Sequence, residues 1–223
     1  MWCIPPKANA GFACAMEDVL ETYTRPLDAN RPLICMDETN KQLLSEPLAP
    51  LPATSGQVER YDFHYEREGV ANLFMLFAPL LGQRWVKVTE HRTARVWAET
   101  MREVADTLYP QAEKIVVVMD NLNTHSPVSF YQAFPPEEAR RLVERFEFHF
   151  TPKHGSWLNT AEIELSVLIR QCLDTRIPSR EALAQQVQAW QKERNAQVVK
   201  VHWQFTSLDA RVKLKNLYPK YDT

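Results

Sequence analysis

Residues 114–125 constrain this chain more than any other stretch. Ile115, Val116, Val117, Val118 and Met119 form an unbroken apolar run, β-branched at four of its five positions. A strand with no polar alternation has both faces covered, which places it in the middle of a parallel or mixed sheet. The run stops at Asp120, with Asn121, Asn123 and His125 close behind. In open α/β sheets the carboxyl ends of the central strands are where chemistry gathers. A lone Asp after a strand more commonly closes a turn, so a functional reading depends on partners elsewhere in the chain.

With 223 residues, 45% of them hydrophobic, there is material for one sizeable core and a small appendage. The net charge of -2 announces no global basic field, but it is unevenly spread: residues 176–223 carry nine Lys/Arg against four acids, a surplus of +5, and the rest carries -7. An acidic body with a basic tail suits a metal site beside a polyanion, although a solvated basic helix face is the more common explanation of such a tail. Cys3, Cys14, Cys35 and Cys172 form no C-x-x-C pair and read as reduced core thiols of a cytosolic protein. No stretch reaches the length of a membrane span, and Met1 to Gly11 reads as a linker without the apolar core of a signal peptide.

The rest of the chain supplies a sheet around that strand. Met16, Val19, Leu20 and Tyr23 fall on one side of a helix over residues 13–23. Leu33 to Met36 is a second short apolar run, and it too ends in acid, at Asp37 and Glu38. A proline-rich loop follows to Gly56. Residues 60–66 alternate, residues 71–78 are strongly apolar, Gly82 and Gln83 turn the chain, and residues 84–89 alternate again, together predicting an antiparallel meander. Thr93 caps a helix with Trp97, Met101, Val104 and Leu108 on one face, ended by Pro110. Strand, helix and buried strand in succession make a crossover, so the Asp120 strand lies parallel to a neighbour. Then come a charged helix over 137–145, a last strand over 146–150, a turn over 151–156, a long helix over 157–173, a helix over 179–197 seamed by Leu183, Val187 and Trp190, and a basic helical stretch over 207–218.

Asp37, Asp120 and Glu162 thus come from the first strand, the end of the buried strand and the long helix after the last strand. Three converging carboxylates can hold two divalent ions about 3.5–4 Å apart, whereas without cations they repel one another. Glu164 competes with Glu162 for the third place, and at about 100° per residue the two point about 160° apart. Glu162 falls in the stripe of Leu158, Leu165, Ile169 and Leu173 expected to pack on the sheet, and Glu164 falls opposite. Glu38 reads as a solvated neighbour. Asn121, Asn123 and His125 read as orienting groups for Asp120 or as satisfied loop polars, and Lys153 and His154 as phosphate contacts or a surface turn.

Three segments carry a family resemblance: Met36-Asp37-Glu38-Thr39, Val118-Met119-Asp120-Asn121-Leu122-Asn123-Thr124-His125, and His154-Gly155-Ser156-Trp157-Leu158-Asn159-Thr160-Ala161-Glu162. Together they resemble the DDE catalytic domain of bacterial insertion-sequence transposases in the mariner-like superfamily. The resemblance covers nearly the whole chain. It implies an α/β ribonuclease H-like fold, a mixed five-stranded sheet flanked by helices with a helical C-terminal extension. It implies Asp37, Asp120 and Glu162 as catalytic residues and metal ligands for two Mg²⁺ (or Mn²⁺) ions. The implied reaction is DNA hydrolysis and strand transfer in cut-and-paste transposition. The implied partners are double-stranded DNA, as transposon ends and target, and a second copy of the chain on that DNA, with no membrane, in a bacterial cytoplasm at the nucleoid. Asn121, Asn123, His125, Lys153, His154, Lys213 and Lys215 are the DNA-binding candidates. The chain divides into a linker and N-terminal helix (1–30), the catalytic domain (31–177) and a basic helical extension packed on it (178–223). Two departures stand out. The second and third acids are 42 positions apart, longer than the family's usual spacing, and the sequence opens in what reads as the linker that follows the helix-turn-helix region of family members. Another ribonuclease H-like nuclease or resolvase, or an inactive DNA-binding remnant, would share much of this pattern.

Overall fold

The computed structural model describes residues 9–47, 53–58, 64–122 and 125–219. Five strands form one mixed sheet in the order β3-β2-β1-β4-β5: β1 (Leu33–Ser45), β2 (Glu66–Ala78), β3 (Gln83–Thr89), β4 (Ile115–Met119) and β5 (Phe146–Phe150). β1, β4 and β5 run parallel, β2 is antiparallel to β1, and β3 is antiparallel to β2. The apolar run is β4, flanked on both sides and buried at all five positions.

Side chains alternate across a sheet, and here they sort into two cores. Leu33, Cys35, Leu73, Met75, Val116 and Val118 face α1 (Ala10–Tyr23), α5 (Thr160–Cys172) and α6 (Arg180–Ala196). Ile34, Met36, Phe74, Leu76, Val117 and Met119 face α2 (Ala94–Glu103), α3 (Pro127–Ala133) and α4 (Pro136–Arg145). A short α7 (Ser207–Lys213) joins the first layer through Ala210.

Several elements differ from the expectation. β1 does not end at Asp37: it continues to Ser45, paired with β2, while its parallel pairing with β4 ends at Cys35↔Val118. The polar residues past Met36 sit on a half-exposed two-stranded extension, so hydrophobicity alone undercounts the strand. Of the strand expected over 60–66, residues 60–63 lie outside the described residues, His64 and Tyr65 are not in a strand, and Glu66 opens β2. α3 was not expected; Pro127 at its first turn needs no backbone donor and starts it. The helix before Pro110 finishes in a π-helical turn over Val104–Leu108. The last helical stretch is broken into α7 and a 3₁₀ turn, Lys215–Leu217. Cys35 is buried, but Cys14 is exposed and is no core thiol.

The edge strand β3 is closed by side chains of α6. Val86 N–H donates to Gln191 Oε1 (2.7 Å), Arg84 N–H donates to Asn195 Oδ1 (2.8 Å), and Asn195 Nδ2 returns a bond to Arg84 O (2.8 Å). The amides do what a sixth strand would do, and the edge is not left free to pair with another chain. Gly82, at φ +67, turns β2 into β3 so close to Val198 that a Cβ would meet its carbonyl carbon at 2.8 Å. Among the described residues no helix is long and apolar enough to cross a membrane.

Candidate active site

Asp37, Asp120 and Glu162 line one cavity of about 340 Å³, with Glu38, Thr39, Thr151, Ser156 and Asn159. Asp37 shares the sheet face of Leu33 and Cys35, so it projects toward α5. Asp120 is the first residue past β4, and Glu162 lies in the first turn of α5, where the helix dipole favours a carboxylate. The three carriers are fastened together. Asn159 caps α5, accepting from Ala161 N–H (3.1 Å), and its Nδ2 donates to Met36 O (2.8 Å), stapling the start of α5 to β1 beside Asp37. Tyr23 donates its hydroxyl proton to Leu158 O (2.7 Å), and Thr151 N–H donates to Met119 O (2.9 Å) at the ends of β5 and β4.

Burial pushes the Asp37 carboxyl up to about 7. Its bond from Glu38 N–H opposes that rise, and the charges of Asp120, Glu162 and Glu38 add to it. Among the described residues no three His, Cys, Asp or Glu side chains stand close enough to enclose a single ion. The donor set is nonetheless that of a hard divalent cation: carboxylate oxygens, with no thiol or imidazole in the wall. A larger cleft, about 630 Å³, opens between the β1–β2 extension and the start of α6. Its Glu90 and Glu181 are ion-paired with Arg180, and none of the three acids reaches it.

The structure corrects the reading of α5. Glu164, expected opposite the packed stripe, is buried with 2% exposure and bound by Arg84 through both oxygens (2.8 and 2.9 Å) and by Arg194 (3.2 Å). Arg84 is fully buried and also donates to Gly82 O and Val199 O. The buried face is Ala161, Glu164, Leu165 and Leu168, Ile169 is exposed, and Glu162 sits half-buried on the rim facing the cavity. Glu162 and Glu164 do point to different places, but the acid neutralised by arginine inside the protein is Glu164.

Two further expectations fail behind Asp120. His125 cannot touch DNA, because it is buried with 2% exposure and stacked on Trp97 (5.7 Å between ring centres). Glu38 is not solvated: one oxygen lies 3.2 Å from His125 Nε2, and the other accepts from Arg92 at 3.2 Å. His125 Nδ1 lies 3.6 Å from Asp120 Oδ1. Burial alone would lower the imidazole pKa, but the carboxylates of Asp120 and Glu38 outweigh it and raise it. The signal for Glu38 was present in the strand parity, since it shares a face with the buried Ile34 and Met36.

Of the other candidates, Asn121 is exposed beside Asp120, and Asn123 lies outside the described residues. Lys153 and His154 are exposed in the turn between β5 and α5, between the cavity-lining Thr151 and Ser156. Lys213 pairs with Asp209 (3.2 Å), and Lys215 is exposed in the last 3₁₀ turn; neither lines the cavity.

Three parallel strands with an antiparallel β2–β3 pair at one side, clad by helices on both faces, make this a ribonuclease H-like fold. Within that class the chain belongs to the DDE superfamily endonuclease family, whose match runs over residues 32–184. It is similar to the Mos1 mariner paired-end complex with Mn (15% identity, TM-score 0.56, covering 88% of this chain and 61% of that one). It is also similar to the Mos1 transposase paired-end complex with left transposon end (14%, 0.57, 97% and 66%) and to the Mos1 strand transfer complex (13%, 0.58, 88% and 60%). At these identities the likeness is one of fold, and this chain spans 60–66% of the length of those three. No curated protein matches.

Proposed function

We propose that this chain is the catalytic part of a DDE transposase, cutting DNA phosphodiester bonds and transferring strands in cut-and-paste transposition. One observation carries the reading: acids from β1, the end of β4 and the first turn of α5 line a single cavity in which Asp37 is a buried carboxylate pushed up to about 7. Family membership and the likeness in fold to the Mos1 transposase paired-end complex with left transposon end and to the Mos1 strand transfer complex support it. Asp37, Asp120 and Glu162 would hold two Mg²⁺ or Mn²⁺ ions. When bound, such ions supply Lewis acidity toward the phosphoryl oxygens and the attacking hydroxyl. Asn159 keeps Glu162 at a fixed distance from the Asp37 strand, and β4 and β5 hold the base of the cavity. Lys153 and His154 stand at its edge, where a DNA phosphate would lie. Residues 31–177 carry the three acids and residues 178–223 brace them. A helix-turn-helix region encoded elsewhere or upstream would supply recognition of transposon ends, a second copy would complete the assembly on DNA, and a bacterial insertion sequence is the source we favour.

The test is nicking of supercoiled plasmid in Mg²⁺ or Mn²⁺. The wild-type chain should nick, Asp120→Asn should not, and both should melt cooperatively. A folded Asp120→Asn protein that nicks as well as wild type would sink the metal role.

A further inference from the structure

His125 is an unusual way to fill an aromatic core. It lies against Trp97 and Phe74 with 2% exposure, and both ring nitrogens are buried without a well-formed hydrogen bond. A buried polar group left so costs free energy that an apolar ring in its place would not. Each nitrogen nevertheless aims at a carboxylate: Nε2 at Glu38 Oε2 (3.2 Å) and Nδ1 at Asp120 Oδ1 (3.6 Å). Glu38 is held in turn by Arg92, and His125 N–H donates to Leu122 O (2.9 Å), which ties His125 to the residues just past Asp120. Asp120 lies beyond the last residue of β4 with 36% of its side chain exposed, so the β4–β5 ladder does not fix its carboxylate.

We propose that His125 is a positioning residue for the reaction: wedged between Glu38 and Asp120, its Nδ1 fixes the Asp120 carboxylate at the rim of the cavity, with Glu38 and Arg92 orienting the ring. The inference rests on the reading of Asp120 as a metal ligand. It makes His125 part of the support of the site, although His125 itself touches neither DNA nor metal. Groups that orient metal ligands from behind commonly change metal affinity by about 10–100-fold when removed.

Side-chain amides separate the two arms. His125→Asn places an amide nitrogen near the position of Nδ1 and keeps the arm toward Asp120. His125→Gln places it near Nε2 and keeps only the arm toward Glu38. His125→Phe keeps the ring stack on Trp97 and neither arm. Mn²⁺ binding to each DNA-free protein is measured by electron paramagnetic resonance, with a thermal melt alongside. His125→Asn should bind Mn²⁺ within about three-fold of wild type, and His125→Gln should be weaker by about ten-fold or more, as should His125→Phe. If His125→Phe does not fold, the order of Asn over Gln still decides. Equal Mn²⁺ affinity in all folded variants, or Asn no better than Gln, overturns the positioning role and leaves the transposase reading standing. Wild-type protein that binds no Mn²⁺ overturns both.

Discussion

Two acids of the site region are held against their own solvation, and they resolve that conflict in opposite ways. Among the described residues no cationic side chain is paired with Asp37, and its carboxyl is pushed from 3.8 to about 7 by burial, with neighbouring acids adding to the rise. The folded pKa lies above the unfolded one, so the folded state binds the proton more tightly. The metal-free protein therefore loses stability as pH rises through that window and carries the full penalty above about 7. Asp37→Asn should raise the stability of metal-free protein near pH 8 by on the order of 2 kcal/mol and flatten the dependence of the urea midpoint between about pH 4 and 7. A midpoint that does not change, or falls, would show that the carboxylate is paired in solution. Glu164 has its cations supplied by Arg84 and Arg194. Glu164→Gln leaves the Arg84 charge buried and short of its partner, a cost of about 3–5 kcal/mol that a melting curve would show. Glu162→Gln, on the half-exposed rim, should melt close to wild type and lose metal-dependent nicking. Intact melting in Glu164→Gln together with lost nicking would mean that Glu164 also serves the chemistry.

At the scale of elements, the pairing of α6 with β3 matters most for the site, because α6 also delivers Arg194 to the helix that carries Glu162. Asn195→Ala removes both bonds to the Arg84 backbone, should cost about 1–3 kcal/mol, and should uncover part of the β3 edge. A lower Tm with concentration-dependent light scattering is the expected result; an unchanged melt would mean that Gln191 alone closes the edge. The sequence made some of these elements easy to read. The β4 run, the Thr93 and Ser179 caps and the alternation of β3 are local signals, and each forms close to its expected place. The extension of β1 past Asp37 was hidden because its outer half is polar and relies on β2 rather than on burial. The Arg84–Glu164 pair joins residues 80 apart, and nothing local to α5 announces that an arginine will arrive from β3. His125 was open to three readings, as a DNA contact, an orienting group or a loop polar, because Trp97 and Phe74, whose rings lie against it, come from α2 and β2 and nothing local announces them.

For the molecule as a whole, the charge split read from the sequence is largely consumed inside the fold. Of the nine cations beyond residue 175, Arg176, Arg180, Arg194, Arg211 and Lys213 are paired with acids of this chain. Among the described residues only Lys192, Lys200 and Lys215 of that set make no ion pair, so the tail should contribute a slope of about -3 or shallower to log affinity against log salt, not about -8. Anisotropy titrations of duplex DNA across KCl concentrations read this directly, and a slope near -8 would mean that the pairs open on DNA. The same ion pairs point to what the C-terminal residues do instead. Leu183, Val187 and Trp190 of α6 belong to the core shared by α1, α5 and the sheet, and the family match ends at residue 184, inside that helix. A chain cut after residue 177 would expose that core, free the β3 edge and leave Glu164 with one arginine fewer. It should be aggregated or uncooperative in melting although it keeps Asp37, Asp120 and Glu162. A chain cut after residue 200 retains α6 and loses α7, which adds Ala210 to the core and the Arg211–Glu17 pair. That chain should fold with a lower Tm and retain metal-dependent nicking. A monomeric, cooperatively melting protein from residues 1–177 would show that α6 is packing added to a domain already stable without it.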